Sequence, residues 1–435
     1  MNGYMDFATQ HEIDELDGGA RKTIDLTAAF NNQMLQIDED TGLQSEVALE
    51  YTVGGESDAI RLTQPLTVYG KNAILWGNEG MVGAFATPRD DTVRDFVRRV
   101  VNEYRPEPGP LNEPVVTAMT LYNALSAHGM EYVVDPTSPF SEVEEDKVDY
   151  VQYPRESLRL KTGDCDDLSV LLAAGLQNLG VETATVEVPG HLFLMFNTGL
   201  DAADRRRISA DPGLTVIRDG QVWVPLEATL IGESFSDAWA EGAAKYAQYA
   251  GSGELDVVTL EGAWQQYEPV TLPPADYRVD IPQDNAVTPV VARDRELLLE
   301  KSVKRLTQPY RAMLAANPDN RRARLQIAIL QGRYGLHEEA LTRLTDILAD
   351  HPGDSAALNN RGNVFFQQGK VDEALESYAQ AETQAPNDPG IKLNIARALY
   401  RKGELETARA KFAEAKRIEP SVAQEHERLA NLLSK

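Results

Sequence analysis

Cysteine is almost absent, since Cys165 is the only one in 435 residues. One thiol excludes an internal disulfide framework and leaves no CxxC or Cys/His spacing for zinc, so neither a metal nor another cofactor is expected. Positive charge is also scarce. Forty-two Lys and Arg stand against 68 Asp and Glu, a net charge of -26 at pH 7, which argues against nucleic acid and anionic membranes as partners. The acidic tract from Ser141 to Asp146 reads as solvated loop. No apolar run approaches the length of a membrane span, so no integral membrane segment is expected. The opening Met1-Asn-Gly-Tyr-Met-Asp has neither the charged start nor the apolar core of a signal peptide, although an exported chain lacking its leader would look the same.

What is present divides into four stretches, consistent with a multidomain α+β chain of this length. Residues 1–90 are β-like: Glu46-Val-Ala-Leu-Glu-Tyr-Thr-Val53 alternates apolar and polar, Gly54-Gly55 supplies a turn, and strand patterning resumes at Ile60 and again from Leu66 to Trp76. A small β-sandwich is expected there, incomplete at its amino-terminal edge. Residues 91–270 begin with helices, marked by Val93, Phe96, Val97 and Val100 and then by Pro114 to His128, closed by Gly129. Strands follow at Glu182–Val188, Leu192–Phe196 and Gln221–Glu227, and Trp239 and Trp264 are expected to pack on them. Helices followed by strands describe an α+β domain with a mainly antiparallel sheet. Residues 271–310 hold a proline-bearing connector, Leu272 through Pro289, and a leading helix.

The last stretch, 311–435, repeats every 34 residues. Gly335, Gly369 and Gly403 keep that step, as do Pro352, Pro386 and Pro420, then Ala340, Ala374 and Ala408, then Leu344, Tyr378 and Phe412. Four columns in register resemble the tetratricopeptide repeat, TPR, a helix-turn-helix unit. The glycine marks the turn, the alanine lets the paired helices approach, and the proline ends each unit. Asn317-Pro318 closes a partial unit, and Val422 to Leu433 reads as a polar capping helix. The resemblance implies an all-α solenoid whose concave face binds a protein partner. A rigid spacer is the plainer alternative.

The chemistry concentrates at Lys161-Thr-Gly-Asp-Cys165-Asp-Asp-Leu. Leu168, Leu171, Leu172, Leu176 and Leu179 form a helical stripe stopped by Gly180, so Cys165 falls in a first helical turn with Asp164 as N-cap. A helix N-terminus lowers a thiol pKa, whereas Asp164, Asp166 and Asp167 oppose thiolate formation. A cysteine nucleophile requires a base and a group to orient it. His337 and His351 lie in repeats, His426 in the cap, His11 in the β region and His128 at a helix end, which leaves His191, at the start of a strand after Gly190. Glu227, at the end of Trp223-Val-Pro-Leu-Glu227, is the candidate orienting carboxylate in an antiparallel arrangement. Asp211, among turn-forming neighbours, is the alternative.

Gly163-Asp-Cys165-Asp-Asp-Leu-Ser, Gly190-His191-Leu-Phe and Trp223-Val-Pro-Leu-Glu227-Ala-Thr, in that order, resemble the transglutaminase-like superfamily of papain-fold cysteine enzymes. The resemblance implies Cys165 as nucleophile, His191 as base and Glu227, where aspartate is usual, as the orienting acid. It implies acyl transfer on a protein or peptide substrate, with hydrolysis by a peptidase or amidase favoured over crosslinking. One oxyanion donor would be the Cys165 amide, with Gln152 and Tyr153 candidates for the second. Together with a TPR array it looks like a group of bacterial proteins that are usually exported, for instance to the periplasm. A catalytically silent scaffold acting through the repeats and the β region is the alternative function.

Overall fold

A computed structural model describes residues 3–77, 80–134, 148–209 and 211–434; the acidic tract from Ser141 to Asp146 lies outside them. The chain forms two compact units. One comprises the chain up to Pro106 together with Asn112–Asp294, and the other Glu107–Leu111 and the chain from Arg295 onward.

The first unit opens with an antiparallel pair, β1 (Thr41–Val53) and β2 (Glu56–Val68), turning at Gly54-Gly55. A third strand, β3 (Ala73–Leu75), follows. The expected β-sandwich is not what these residues build. Among the described residues β1 and β2 pair only with each other, and β3 pairs with a later strand. The alternation puts Val47 opposite Leu62 and Leu49 opposite Ile60, and these side chains are exposed, with no further strand joined to the pair among the described residues. An alternating strand pair specifies an apolar face but not the layer that would cover it.

Two helices come next, α1 (Asp91–Tyr104) and α2 (Glu113–His128). α1 is capped by Asp90 and buries Val93, Phe96, Val97 and Val100, the residues its period selects. α2 is capped by Asn112 and ends at Gly129, whose φ of 88° suits the left-handed stop. After the short β4 (Glu131–Tyr132) come β5 (Val148–Tyr150), which pairs with β3, then α3 (Pro154–Leu160) and β6 (Thr162–Gly163). The cysteine helix is α4 (Cys165–Asn178). It packs closely on α2 and α1 at Gly175, where a Cβ would lie 2.8 Å from Leu121 and 3.2 Å from Val97.

The sheet follows: β7 (Thr183–Val188), β8 (His191–Asp201), β9 (Val216–Arg218), β10 (Gln221–Leu226), then helix α5 (Phe235–Tyr249) and β11 (Asp256–Thr259). Its order is β11-β7-β8-β10-β9, with every neighbouring pair antiparallel. α4 lies against β7 and β8, and α5 against β10. Trp239 is buried with its indole N–H on the Leu214 carbonyl. After α6 (Leu260–Ala263), Trp264 donates to the Gly83 carbonyl. The connector ends sooner than the prolines suggest, because α7 (Asp284–Ala316) includes Pro289. A proline one turn inside a helix forfeits a single backbone bond near the end, which a long helix tolerates.

In the second unit, helical pairs follow at the 34-residue step: α8 (Arg321–Arg333) with α9 (His337–Asp350), α10 (Ser355–Gln367) with α11 (Val371–Gln384), and α12 (Pro389–Lys402) with α13 (Leu405–Ile418). The cap is broken into α14 (Val422–Glu425) and α15 (Glu427–Ser434). Gly335, Gly369 and Gly403 have φ between 78° and 89°, so the turn column is a left-handed position. A Cβ on Gly362 would lie 2.5 Å from the ring of Tyr378. The bulkiest residue of its column thus meets a glycine, and the glycine's own column holds Ala328 and Ala396 in the flanking repeats, where the partner column has Leu344 and Phe412.

Candidate functional site

The residues singled out around Cys165 come from α4, β8 and the end of β10. At the head of α4 the Asp164 carboxylate accepts from the N–H groups of Asp166 and Asp167, and the Asp167 carboxylate accepts in return from the Asp164 N–H. Gly163 must be glycine, because a Cβ there would lie 2.6 Å from the Cβ of Asp167. This capping box holds Cys165 in the first turn, 3 % exposed and packed against Leu192 and Trp76. Burial pushes the thiol pKa well up, and Asp166 and Asp164 push it the same way, against a favourable contact with the Leu192 backbone. Here desolvation and carboxylates outweigh the helix terminus.

The turn Val188-Pro-Gly190-His191 reverses β7 into β8, with Gly190 at φ 69°. Leu226 pairs with Leu194, so Glu227, one residue past β10, comes level with the start of β8. His191 Nε2 lies 2.7 Å from Glu227 Oε2. The other carboxylate oxygen accepts from the Thr229 N–H at 3.0 Å and hydroxyl at 2.6 Å. Lys245 Nζ completes the cluster, 2.9 Å from Glu227 Oε2 and 3.1 Å from His191 Nε2. Burial alone would raise the Glu227 carboxyl, whose side chain is 1 % exposed, but His191, Lys245 and Thr229 together hold it down at about 2. An ionised Glu227 makes Nε2 the proton donor, which leaves the Nδ1 lone pair free to accept a proton.

The structure therefore brings Glu227 to His191, while Asp211 accepts from Gly213 N–H in a short turn. It sets Cys165 beside Leu192, the neighbour of His191, and Ser169 donates to the Leu192 carbonyl at 3.3 Å, tying α4 to β8. Among the described residues no hydrogen bond joins the thiol to His191. Gln152 and Tyr153 have other partners: Gln152 donates to Asp167 from its backbone N–H at 2.7 Å and from its side-chain amide nitrogen at 2.8 Å, and the Tyr153 N–H faces Glu156. His128 is buried, with Nε2 3.1 Å from the Leu158 carbonyl, and burial lowers its pKa.

Lys245 escapes motif reasoning. A signal was present, since it is the only basic residue between Arg218 and Arg278. It sits one turn beyond Gly242, where a Cβ would lie 2.8 Å from the Leu226 backbone nitrogen. That glycine lets α5 approach β10 closely enough for the ammonium to reach Glu227. As to metal, Asp164, Asp166 and Asp167 have oxygens within 4.8 Å of one another. Two of these carboxylates cap the helix, and burial with neighbouring carboxylates favours a proton on Asp166.

Family models described as tetratricopeptide repeat match residues 325–389 and 365–435, the span of the helical pairs. Residues 325–435 are tetratricopeptide repeats. Solved structures similar to part of the chain include a thermophilic TPR protein in Thermus thermophilus, 23% identical over 35% of this chain and 84% of that one, with a TM-score of 0.28. Others are MamA AMB-1, 24% identical over 31% of this chain and 72% of that one at a TM-score of 0.23, and MamA MSR-1, 22% identical over 30% and 67% at 0.22. No curated protein sequence matches the chain. Among the described residues no helix is long and apolar enough to cross a membrane.

Proposed function

We propose that this chain is a protein-binding component whose TPR array holds a partner on the face formed by the first helices of the repeats. The observation that carries the reading is the match of residues 325–435 to the repeat, with α8 to α13 as consecutive helical pairs. Such pairs bury their small-residue faces on each other and leave the first-helix face to a ligand. The test is a pull-down with the full chain against the same chain substituted at exposed first-helix positions such as Gln367 and Arg401. Loss of a partner supports the reading, and equal recovery from both chains reduces the array to a spacer.

A second reading rests on a different observation, the 2.7 Å contact of His191 Nε2 with Glu227 Oε2 on the strand beside the head of α4. It supports a transglutaminase-like cysteine acyl-transfer site of Cys165, His191 and Glu227. With the thiol kept protonated by burial, the nucleophile is generated as substrate arrives. His191 Nδ1 takes the thiol proton, sulfur attacks the acyl carbonyl, and the leaving amine departs with that proton, giving a thioester. Glu227 holds the imidazole tautomer, and the Cys165 N–H, in the first turn of α4, serves as an oxyanion donor in this reading. Water then releases the acid, the peptidase or amidase outcome. The measurement is the rate at which iodoacetamide labels Cys165. Labelling that slows after His191→Ala supports the reading, and an unchanged rate removes it.

A further inference from the structure

Both carboxylate oxygens of Glu227 are in use. Oε1 accepts from the N–H and the hydroxyl of Thr229, while Oε2 takes two donors, His191 Nε2 at 2.7 Å and Lys245 Nζ at 2.9 Å. Those two nitrogens are themselves 3.1 Å apart. Nε2 turns its hydrogen to the carboxylate, so it has no lone pair for the ammonium, and their contact is a close approach of two donors to one oxygen. The fold keeps Lys245 there. Glu227 donates its backbone N–H to the Ala238 carbonyl of α5 at 3.0 Å, and Gly242 lets the same helix lie against β10. Among the described residues Lys245 has no other ion pair.

A resident ammonium changes what a proton on His191 does. With Glu227 ionised and Lys245 charged, the cluster carries no net charge while the ring is uncharged. Protonating the ring sets two positive charges on one carboxylate, in a place largely withdrawn from water where like charges this close repel strongly. Without the ammonium, the same proton would complete a neutral imidazolium-carboxylate pair. We infer that Lys245 is a positioning residue that acts as a brake: it keeps His191 uncharged, so that Cys165 retains its proton in the resting site. The inference rests on the acyl-transfer reading and adds the residue that restrains it. Burial of the thiol works in the same direction. A resting thiol resists adventitious alkylation and oxidation. Other ionisable groups near the cluster are Cys165, Asp164 and Asp166 on α4 and the Tyr132 phenol on β4. All are acids, so none of them replaces the ammonium.

The test is the rate at which iodoacetamide labels Cys165 in the full chain, followed from about pH 5 to 9. Lys245→Met, similar in length and uncharged, should label roughly fivefold faster than wild type near neutral pH, because a ring that holds a proton more firmly draws more thiol into the thiolate. On the acid side its rate should begin to fall at a higher pH than in wild type, since a ring already protonated from solvent cannot take the thiol proton. In a His191→Ala background Lys245→Met should change nothing, because the ring that relays the charge is gone. Lys245→Arg keeps the charge and should return both the rate and the acid limb toward wild type. Equal rates in wild type and Lys245→Met, while His191→Ala slows labelling, remove the brake and leave the Cys165 and His191 reading standing. Acceleration by Lys245→Met in the His191→Ala background as well reports a loosened site and also overturns the inference. A rate unaffected by His191→Ala alone removes the acyl-transfer reading, and the inference with it.

Discussion

In the repeat array each helix packs mainly on the helix next to it in the chain, whereas in the α+β unit β8 is held between β7 and β10 with α4 across its face. The first arrangement needs only local instructions repeated at a fixed step. The second assembles His191 and Glu227 from positions 36 residues apart and adds Lys245 from a helix 18 residues further on. Damage to the array should therefore stay close to the altered repeat, and damage to the sheet should move the cluster.

The largest effect expected is from Gly362→Leu, which drives a side chain into the Tyr378 ring and should cost about 3 kcal/mol. Chemical unfolding followed by circular dichroism should show an early loss of helix, with Cys165 labelling unchanged in the conditions where that helix is lost. If both signals move together, the two regions are not independent. Glu227→Gln sharpens the other side. The folded Glu227 carboxyl titrates at about 2, below its ordinary 4.5. A depressed carboxyl stabilises the fold fully above its unfolded pKa, and that contribution disappears as pH falls through its folded value. A shift of this size corresponds to about 3 kcal/mol at most. Urea midpoints of wild type and Glu227→Gln should therefore differ near neutral pH and converge toward pH 2. A gap that persists there contradicts the assignment.

Gly242→Ala should cost about 2 kcal/mol, because its Cβ meets the β10 backbone, which cannot yield as a side chain can. Since α5 carries Lys245, the pH dependence of stability assigned to Glu227 should weaken in the same variant, read from the same midpoints. The smallest effect on stability is expected from Asp164→Asn. Asparagine caps a helix about as well as aspartate, so the melt should change by less than about 0.5 kcal/mol. Removing that carboxylate should nevertheless lower the thiol pKa and speed iodoacetamide labelling of Cys165 several-fold. An unchanged rate would show that burial alone controls the thiol.

The array was legible because its periodicity carries its contacts. Gly335, Gly369 and Gly403 are turn residues in the structure as in the pattern, and Tyr378 of the aromatic column packs where Gly362 leaves room for its ring. The cap on Cys165 was legible for a similar reason, since Asp164 and Asp167 act within one turn. The hairpin shows the limit. Val47, Leu49, Ile60 and Leu62 state that one face is apolar, and nothing local says what covers it. Gln152 shows another limit, because its position upstream of α4 suggested a free donor and Asp167 engages it.

Sequence alone determined the helical repeat, the capped cysteine helix and the strand ends that bear His191 and Glu227, all set by periodicity, capping and turn chemistry over a few residues. Only the tertiary structure decided which carboxylate meets His191, that Lys245 joins them, and that burial holds the Cys165 thiol in its protonated form. Those outcomes depend on the close approach of α5 to β10 and the exclusion of water around α4. Desolvation and distance belong to the packed molecule, and no stretch of chain specifies them by itself.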